Sequence, residues 1–476
     1  MLTTKTILGA GWSVSSRLGG RLIDFVTVLV LARMLTPSDF GLTALAMSLI
    51  VIADTVLELP LIQALIRLKY ISKSHLDTAF TLGILRGLLL SVVVLTAAWP
   101  FSIIYNDNRL TTLVAALAIG PIFRGLYSPG MVKFIRQMSF RQGFIAELLG
   151  KIIASMVAIS LVYLGGGYWA IVASSVISSV AATLISYLLA PYRPTLSLLN
   201  FSEFSSFMGW YSTAQVASAL SWQFDRILLG YFVSKSDLGQ YTMASDLSVL
   251  PTQSLIGPAM QPVMAAFSRI NDDRGRLRNA YLKASHFTMM LAVPTSVGMA
   301  LTSDMIVYVL LGSKWQEAAI YLQWLALSIV LSAYYQPLYC LALAINRPSV
   351  ILRLSFIELC SRIVLVSSGL YFYSLMGAIA ARGAVSLILF ISSLLTARKL
   401  VDISLASQLG NLWKVGAACS VMAFAVLLMR YNLTGNHINV LLELGLTAAF
   451  GAIVYIGALL VLGVRFSGYI ETGSSG

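Results

Sequence analysis

The residues of this sequence that could do chemistry are charged side chains inside long apolar runs. Arg17, Arg21 and Asp24 follow one another at i, i+4 and i+7 in the run 10–34, which places them on one face of a predicted helix. A charge at the middle of a membrane-spanning helix costs at least about 2.5–3.5 kcal/mol, so it needs a partner, water or a function. Two guanidinium groups on one face suit a pyrophosphate, because arginine binds phosphate bidentately and stays ionised. The alternative is an ion pair between Arg21 and Asp24.

Further arginines lie in other apolar runs without a partner at helical i, i+3 or i, i+4 spacing. Arg226 follows Asp225, and adjacent residues of a helix point about 100° apart, so the two need not pair. We predict that Arg226 is a second ligand for the anionic group, with a structural Asp–Arg network between helices as the alternative. Arg86, Arg124 and Arg382 either line the same cavity or extend toward the nearer membrane surface. Arg124 is expected nearer to a membrane surface.

Carboxylates within the apolar runs are candidates for ion coupling. Asp54 and Glu58 are four residues apart in the run 42–66, on one face of a predicted helix. Two neighbouring carboxylates repel each other, which raises the pKa of one and lets it hold a proton or a cation. The alternative is that Arg17 or Arg21 of the neighbouring helix neutralises them. The other candidates for coupling to protons or sodium are Asp24, Asp225 and Asp246.

Two pairs of charged residues are interpreted as ion pairs within a helix. Glu147 and Lys151 are in the i, i+4 order that favours an ion pair along one helix. Glu358 and Arg362 have the same order and spacing. We predict that both pairs stabilise helices rather than contact a substrate.

Two aromatic residues have two possible roles each, and two aspartates are candidates for helix capping. Trp222 and Tyr335 either stack on sugar rings inside the cavity or belong to the aromatic belts at the membrane surfaces. Asp39 and Asp237 each occur in the sequence S-D-x-G, and both are predicted helix N-caps.

The elements that hold these residues follow from composition. The chain has 476 residues, of which 58% are apolar and only 11% are charged, against about 25% in a soluble domain. Together with a mean hydropathy of +0.84, this excludes a soluble enzyme, a disordered chain and a nucleic-acid-binding domain. The net charge of +13 lies in short basic clusters between the apolar runs. Such clusters orient the chain and meet anionic membrane lipids, so no nucleic-acid partner is predicted.

About fourteen stretches are long and apolar enough for a membrane-spanning helix of about twenty residues. They are 10–34, 42–66, 78–104, 111–131, 143–164, 168–190, 207–232, 241–267, 284–311, 318–345, 353–373, 376–397, 412–430 and 440–463. The predicted fold is therefore an all-α polytopic membrane protein. The sequence contains neither a P-loop nor a metal-binding spacing of His and Cys, so no cofactor and no metal are predicted.

The distribution of lysine and arginine predicts the orientation. With the N-terminus inside, the inner loops hold most of the basic residues that lie between spans. The basic residues of the outer loops are Arg33, Arg109, Lys235, Lys314 and Arg430. Because positive residues collect on the cytoplasmic side, both termini are predicted to be cytoplasmic.

An internal repeat appears when the sequence is shifted by 198 residues. The G-W at 11–12 then coincides with 209–210, and S-D-F-G at 38–41 coincides with S-D-L-G at 236–239. Six predicted spans precede the second copy, so both copies have the same orientation, as in parallel transporter repeats. We predict two six-helix lobes, 1–198 and 199–400, followed by an added transmembrane helix pair and tail over 401–476.

Three motifs give the chain a family resemblance. They are L-A-R-M-L-T-P-S-D-F-G from Leu31 to Gly41, L-L-G-S-K-W from Leu310 to Trp315, and A-I-N-R-P from Ala344 to Pro348. With these motifs and about fourteen predicted spans, the sequence resembles the Wzx-like polysaccharide-biosynthesis flippases of the MOP (multidrug/oligosaccharidyl-lipid/polysaccharide) exporter superfamily. The resemblance implies export of undecaprenyl-pyrophosphate-linked oligosaccharide repeat units across the bacterial inner membrane. It also implies a V-shaped cavity that alternates between the two faces, with ion coupling.

Two other functions fit parts of the sequence. A cation-coupled multidrug-type exporter of the same superfamily would want an acidic and aromatic cavity, and the many intramembrane arginines argue against it. A membrane polysaccharide polymerase or ligase would need a catalytic loop outside the bilayer, and the predicted outer loops are short. We therefore predict a transporter rather than an enzyme. Its predicted partners are a lipid-linked oligosaccharide, anionic lipids, and the polysaccharide polymerase and export machinery.

Overall fold

The computed structural model describes most of the chain, and the regular structure in the described ranges is helical. These ranges are 19–59, 61–68, 70–137, 139–433 and 439–464, without the side chains of 63, 67, 203–215 and 217. Within them, nine helices are long and apolar enough to cross a bilayer, or ten if a pair bent by 52° is one span. The predicted all-α, multi-pass membrane protein is confirmed. The number of fourteen spans stays a prediction.

The chain forms two compact units, Met1–Gly239 and Gln240–Gly476. The predicted division into lobes at residue 198 differs from this boundary and stays a prediction. Helix α10, which opens the second predicted repeat, belongs to the first unit because it packs along α2. The helices of this unit are α1 (described over 19–34), α2 (Pro37–Val56), α3 (Leu61–Arg67), α4 (Lys73–Ile104), α5 (Arg109–Leu117), α6 (Ile119–Gly125), α7 (Val132–Arg136), α8 (Arg141–Tyr163), α9 (Trp169–Leu189) and α10 (Phe201–Phe232).

Helix α11 (Lys235–Pro251) begins in the first unit and ends in the second. The further helices are α12 (Gly257–Arg269), α13 (Arg274–Leu301), α14 (Ser303–Leu310), α15 (Gln316–Ile329), α16 (Tyr335–Ala344), α17 (Pro348–Val401), α18 (Leu405–Gly410), α19 (Trp413–Leu433) and α20 (Val440–Val461). A π-helical turn at Thr252–Ile256 separates α11 from α12. This turn follows Pro251, which lacks the N–H that a continuous α-helix would use.

Helix α17 is two spans joined by a sharp break. Its 54 residues would extend about 80 Å if straight, far more than the roughly 30 Å of hydrocarbon in a bilayer. Tyr373 and Ser374 leave helical geometry, and Ser374 has a φ of 53°. A Cβ on Gly377 would lie 2.0 Å from the carbonyl oxygen of Gly369, so the two halves fold back tightly on each other. The predicted break between the spans 353–373 and 376–397 is confirmed.

The second predicted span is interrupted before its end. Helix α2 ends at Val56 with Leu57 as its C-cap, and α3 begins only at Leu61. Pro60 in the sequence accounts for the interruption, because proline disfavours a helical residue before it and donates no hydrogen bond. Glu58 therefore lies outside α2. The prediction that Asp54 and Glu58 share one face of a helix is wrong.

The segment between α9 and α10 is fastened to the beginning of α4. Tyr192 and Thr195 both donate hydrogen bonds to the carboxylate of Asp77, with the Thr195 hydroxyl at 2.5 Å. Asn200 donates from Nδ2 to the Ser74 hydroxyl at 3.0 Å. Residues 192–200 thus form a strap along α4, a name we keep for this segment.

The turn between α4 and α5 carries an ion pair. Arg109 donates to Asp107 from Nε at 3.0 Å and from Nη2 at 2.8 Å. These hydrogen bonds lower the pKa of the Asp107 carboxyl below its ordinary value. The preceding Tyr105 hydroxyl donates to the carbonyl of Ile227 at 2.9 Å and so ties this turn to α10.

The core of the second unit centres on buried aromatic side chains. The Tyr334 ring meets that of Phe390 edge-on with centroids 5.1 Å apart, and its hydroxyl donates to Gln408 at 2.9 Å. In the same unit, the Tyr455 hydroxyl of α20 donates to the Met290 carbonyl of α13 at 2.9 Å. These bonds satisfy the phenol groups at depth and join the C-terminal helices to the bundle.

Candidate functional site

A cavity of about 800 Å³ lies within the first unit. It is bounded by the C-terminal end of α2, the middle of α4, the end of α6 and the beginning of α8. Its charged lining residues are Asp54, Glu58, Arg86, Arg124 and Glu147. Its aromatic lining residues are Phe80, Tyr127, Phe134, Phe140 and Phe144. A largely apolar cavity of this volume with a few convergent charged groups is typical of a ligand site.

Asp54 lies between two arginines at the edge of this cavity. Its Oδ1 accepts from Nη2 of Arg86 at 2.7 Å, and its Oδ2 accepts from Nη1 of Arg124 at 2.9 Å. Arg86 also donates to the backbone carbonyls of Asp54, at 2.9 Å, and Leu57, at 2.6 Å. Arg86 thereby satisfies carbonyls that the last turn of α2 leaves open, and its positive charge suits a helix C-terminus.

Three glycines bring the two arginines together. A Cβ on Gly125 would lie 2.3 Å from the carbonyl oxygen of Gly83, and one on Gly87 would lie 2.7 Å from that of Pro121. Helices α4 and α6 can approach this closely only because these positions lack a side chain. Arg86 on α4 and Arg124 on α6 therefore reach the same carboxylate.

Arg124 has the capacity to bind a further group. Its side chain is 43% exposed, and within the described part of the chain its hydrogen bonding uses only Nη1, toward Asp54. Because a guanidinium carries five N–H donors, most of those of Arg124 remain available at the cavity. The sequence favoured a position near the membrane surface for Arg124 over a cavity-lining one, since its partner lies 70 residues away in the chain.

The other acidic lining residues differ in their surroundings. Glu147 pairs with Lys151 at 3.3 Å, which confirms the predicted helical pair. Lys151 also contacts Asp24 at 2.6 Å. Asp24 is thus bonded to α8, and its alternative pairing with Arg21 stays a prediction. Glu58 lines the cavity from the segment that follows α2.

The remaining arginines predicted to hold an anion lie elsewhere in the first unit. Arg17 lies outside the described residues, and Arg21 is exposed. On α10, Arg226 is half-buried and Asp225 is buried. Neither Arg21 nor Arg226 is among the described residues that line the cavity. Their convergence with Arg17 on one vestibule stays a prediction.

In the second unit, Arg382 is buried among hydroxyl groups. Its Nη1 donates to the Tyr241 hydroxyl at 3.0 Å and to the Ser245 hydroxyl at 2.9 Å. Only 7% of the residue is exposed. Its role in substrate binding stays a prediction, as does ion coupling by Asp246, which is exposed.

Two further predictions concern the side chains of Glu358 and of the aromatic candidates. Arg362 donates to Glu358 at 2.7 Å, so this predicted pair is confirmed. Trp222 is 48% exposed on α10. Tyr335 is half-buried, and its ring meets that of Tyr339 edge-on at 6.0 Å. Sugar stacking by Trp222 and Tyr335 stays a prediction.

No group of three or more His, Cys, Asp or Glu side chains that could hold a metal ion occurs in the ranges that the structure describes. The acidic residues of the cavity are accompanied by arginine instead. The arrangement can therefore bind an anion at Arg124 or a cation at one of the carboxylates.

The model of a family described as polysaccharide biosynthesis proteins matches residues 30–320. The chain belongs to this family. It is similar to the succinoglycan biosynthesis transport protein ExoT of Rhizobium meliloti (strain 1021), with 25% identity over 69% of this chain and 67% of that protein. It is also similar to the lipopolysaccharide biosynthesis protein WzxC of Escherichia coli (strain K12), with 23% identity over 72% of this chain and 70% of WzxC.

A solved structure shares the fold over nearly the whole chain. The lipid II flippase MurJ in its inward closed conformation matches with a TM-score of 0.73 and 15% identity, over 96% of this chain and 98% of that one. The resemblance to Wzx-like exporters of the MOP superfamily is thus confirmed for this member of the polysaccharide biosynthesis family. The chain is a multi-pass membrane protein of a family of transporters.

Proposed function

We propose that this chain is a flippase that moves undecaprenyl-pyrophosphate-linked oligosaccharide repeat units across the bacterial inner membrane. Its product serves surface or extracellular polysaccharide biosynthesis, and both termini of the chain lie in the cytoplasm. Membership of the polysaccharide biosynthesis family supports the proposal at the level of the substrate class. The observation that carries it is the cavity of the first unit, where Arg124 keeps open donors beside the pair of Asp54 and Arg86.

The polar head of such a substrate is the part that cannot cross the bilayer without a transporter. Charged and sugar groups cannot enter the hydrocarbon without a large cost, whereas a polyprenyl tail can stay in lipid throughout. In the proposed cycle, the pyrophosphate exchanges with Asp54 at Arg124, while Arg86 continues to hold Asp54. The aromatic lining then faces the sugars. The two lobes rock about the head, which leaves on the other side.

Ion coupling is assigned to Glu58, a cavity carboxylate that forms no ion pair with an arginine of the described ranges. Asp54 already faces two guanidinium groups, so its charge is compensated. Glu58 lines the same cavity and is the member of the predicted pair that we propose takes up a proton or sodium. Its charge would then change during the cycle without disturbing the arginine pair.

The experiment is complementation of a strain that lacks this chain. Lipid-linked oligosaccharide is labelled, and the fraction in the cytoplasmic leaflet is measured in inverted vesicles. The deletion should accumulate the precursor, and the wild-type chain should clear it without formation of new glycosidic bonds. New glycosidic bonds made by the purified chain would instead indicate a polymerase or ligase.

Arg124→Ala should reduce clearance at least tenfold, because the cavity then loses its open anion donors. Arg109→Ala is the matched control, since Arg109 is also a partly exposed arginine bonded to an aspartate but lies away from the cavity. Immunoblots of membranes verify equal amounts of protein. Full clearance by Arg124→Ala would remove the site from the proposal.

A second candidate function is export of cationic small molecules. It is favoured by one observation, the acidic and aromatic lining of the same cavity. The same cells are loaded with a lipophilic cationic dye, and its efflux is followed. Efflux that requires the chain and is lost in Glu58→Gln, with no change in lipid-linked oligosaccharide, would support this candidate over the first.

A further inference from the structure

One side of helix α8 forms a wall of the cavity in the first unit. Phe140, Gly143, Phe144 and Glu147 all line the cavity. They follow one another at i, i+3, i+4 and i+7 from the N-cap of α8, which is the spacing of residues on one side of a helix. We call these four residues the α8 wall. The wall brings two aromatic rings, a position without a side chain and a carboxylate to the same cavity.

The glycine of the wall leaves open space between its two aromatic residues. A Cβ on Gly143 would meet nothing within 4 Å. Two turns further along the same side of α8, a Cβ on Gly150 would lie 3.1 Å from the backbone nitrogen of Ala182 on α9. Near Gly150 this side of α8 is therefore filled by α9, whereas at Gly143 it is open to the cavity. A flat or ring-shaped group has room at this place.

Glu147 retains the capacity to accept further hydrogen bonds. Its side chain is 58% exposed, and in the described part of the chain it pairs through Oε1 with Lys151 at 3.3 Å. Lys151 lies closer to Asp24, at 2.6 Å, so one ammonium group is shared by two carboxylates. An ionised carboxylate has about four positions for accepting hydrogen bonds and no donor. The polar end of the α8 wall is thus negatively charged and offers acceptors.

We propose that the α8 wall binds a sugar ring of the transported head and selects a neutral or amino sugar over a uronic acid. The rings of Phe140 and Phe144 provide apolar area for the C–H face of a sugar, and Glu147 accepts from its hydroxyl or amino groups. The proposal rests on the proposed function, because it requires a sugar-bearing head in this cavity. It extends that function to the class of sugar carried.

The selectivity follows from the two kinds of charge in the cavity. Arg124 and Glu147 both line it, with opposite charges. A pyrophosphate bound at Arg124 leaves the sugar to meet Glu147, where a carboxylate on the sugar is repelled. A hydroxyl or ammonium group at the same place donates a hydrogen bond to Glu147 instead. The wall therefore selects chiefly by excluding acidic sugars.

The test measures the binding of three probes whose sugars each differ at no more than one position from glucose. Farnesyl pyrophosphate linked to glucose, glucosamine or glucuronic acid is titrated into the purified full chain in nanodiscs. The wild-type chain should bind the glucose and glucosamine probes at least about tenfold more tightly than the glucuronic acid probe. Equal affinities, or a preference for glucuronic acid, would overturn the proposal.

Glu147→Gln preserves the size of the side chain and removes its charge. Lys151 retains Asp24 as a partner, so the fold should persist, while the discrimination against glucuronic acid should fall to within about threefold. Glu358→Gln is the matched control, because Glu358 forms a pair of the same order and spacing but is not among the residues that line the cavity. It should leave the ratio of affinities unchanged. A tenfold ratio that persists in Glu147→Gln overturns the selectivity.

Gly143→Leu fills the open space of the wall without a clash. Leucine is a better helix former than glycine, so the thermal unfolding midpoint should not fall. The affinity for the glucose probe should fall at least about tenfold, whereas that for sugar-free farnesyl pyrophosphate should stay within about twofold of wild type. Gly416→Leu on α19 is the matched control, since a Cβ there also meets nothing within 4 Å, and it should change neither affinity. Unchanged binding of the glucose probe by Gly143→Leu overturns the sugar site.

The outcomes distinguish the sugar site from the proposed function. Movement of lipid-linked oligosaccharide in vesicles by a chain that binds all three sugar probes equally overturns the α8 wall and leaves the flippase standing. Selective binding that Gly143→Leu abolishes, in a chain that moves no lipid-linked oligosaccharide, supports the α8 wall and overturns the flippase.

Discussion

Two arginines that look alike in the sequence have opposite surroundings in the structure. Arg86 of the first unit bonds to a carboxylate and two backbone carbonyls beside a cavity. Arg382 of the second unit is buried and bonds to the hydroxyls of Tyr241 and Ser245. A guanidinium next to a carboxylate belongs to an ion cluster that can exchange one anion for another. A guanidinium that donates to hydroxyl groups of packed helices is held in a fixed position.

The comparison indicates which kind of charged site in a bundle of apolar helices can exchange one bound anion for another. In the cluster of the first unit, Asp54 holds two positive charges close together, and in the proposed cycle an anion takes its place at Arg124. Breaking such a cluster leaves uncompensated charge, whereas replacing a whole buried polar group can cost little. The following predictions use this contrast, beginning with the largest expected effect.

Asp54→Asn should have the largest effect on both stability and transport. It leaves two guanidinium groups close together without their shared carboxylate, and the free energy of unfolding should fall by about 2–3 kcal/mol, less than for a fully buried cluster because water screens the site. Clearance of lipid-linked oligosaccharide should fall more than tenfold. Unfolding in detergent and the vesicle assay measure the two effects. An unfolding midpoint equal to wild type would show that Asp54 does not organise the arginines.

Arg86→Met and Arg382→Met test the comparison directly with one substitution in each unit. The first leaves Asp54 paired with Arg124 alone and two carbonyls without a donor, and it should cost about 2 kcal/mol. The second removes the bonds to the hydroxyls of Tyr241 and Ser245 and should cost about 1 kcal/mol. Transport by Arg382→Met should remain within about twofold of wild type if its role is structural. Loss of transport with normal stability in Arg382→Met would make it a substrate ligand instead.

Glu58→Gln should change transport but hardly change stability. The residue lies outside α2, and its amide is a close match in size, so the free energy of unfolding should stay within about 0.5 kcal/mol of wild type. Clearance should fall severalfold and lose its dependence on the proton or sodium gradient, which ionophores collapse in turn. Retained dependence on both gradients would exclude Glu58 from coupling.

Asp107→Asn should have the smallest effect on the free energy of unfolding, and it measures what a solvent-screened ion pair contributes in this protein. The lowered pKa of Asp107 means that its pair with Arg109 contributes stability above the unfolded pKa of about 3.9 and loses it as the pH falls through the folded value. Because Arg109 is half exposed, the difference from wild type should be only about 0.5 kcal/mol at pH 7. Unfolding measured from pH 7 to pH 3 should show the two proteins converging. A difference that grows on acidification would have the wrong sign.

Local features of this protein could be predicted from its sequence because helical spacing alone determines them. The pairs Glu147–Lys151 and Glu358–Arg362 follow from i, i+4 positions, and both are present. The break inside α17 follows from the length of an apolar run against the thickness of a bilayer. The capping motifs were located at the correct helix ends, although the N-cap is Thr36 rather than Asp39.

The candidate site could not be predicted in the same way because its bonds join distant parts of the chain. Arg86 and Arg124 lie 32 and 70 residues from Asp54, and only the close approach of α4 and α6 brings them together. The sequence pointed instead to Glu58 as the neighbour of Asp54, since it assumed an uninterrupted helix. Pro60, six positions before the end of the predicted span, would have been the signal to doubt that helix.

The strap along α4 has a mechanical consequence for the helix that follows it. Because residues 192–200 are bonded to Asp77 and Ser74, the chain can first swing at the beginning of α10, which acts as a fulcrum. The 32 residues of α10 form a lever about 48 Å long. A tilt of about 10° at the fulcrum would carry its far end, beside Gly230, through about 8 Å. The fastening that holds one end still therefore sets how far a small rotation would displace the other end.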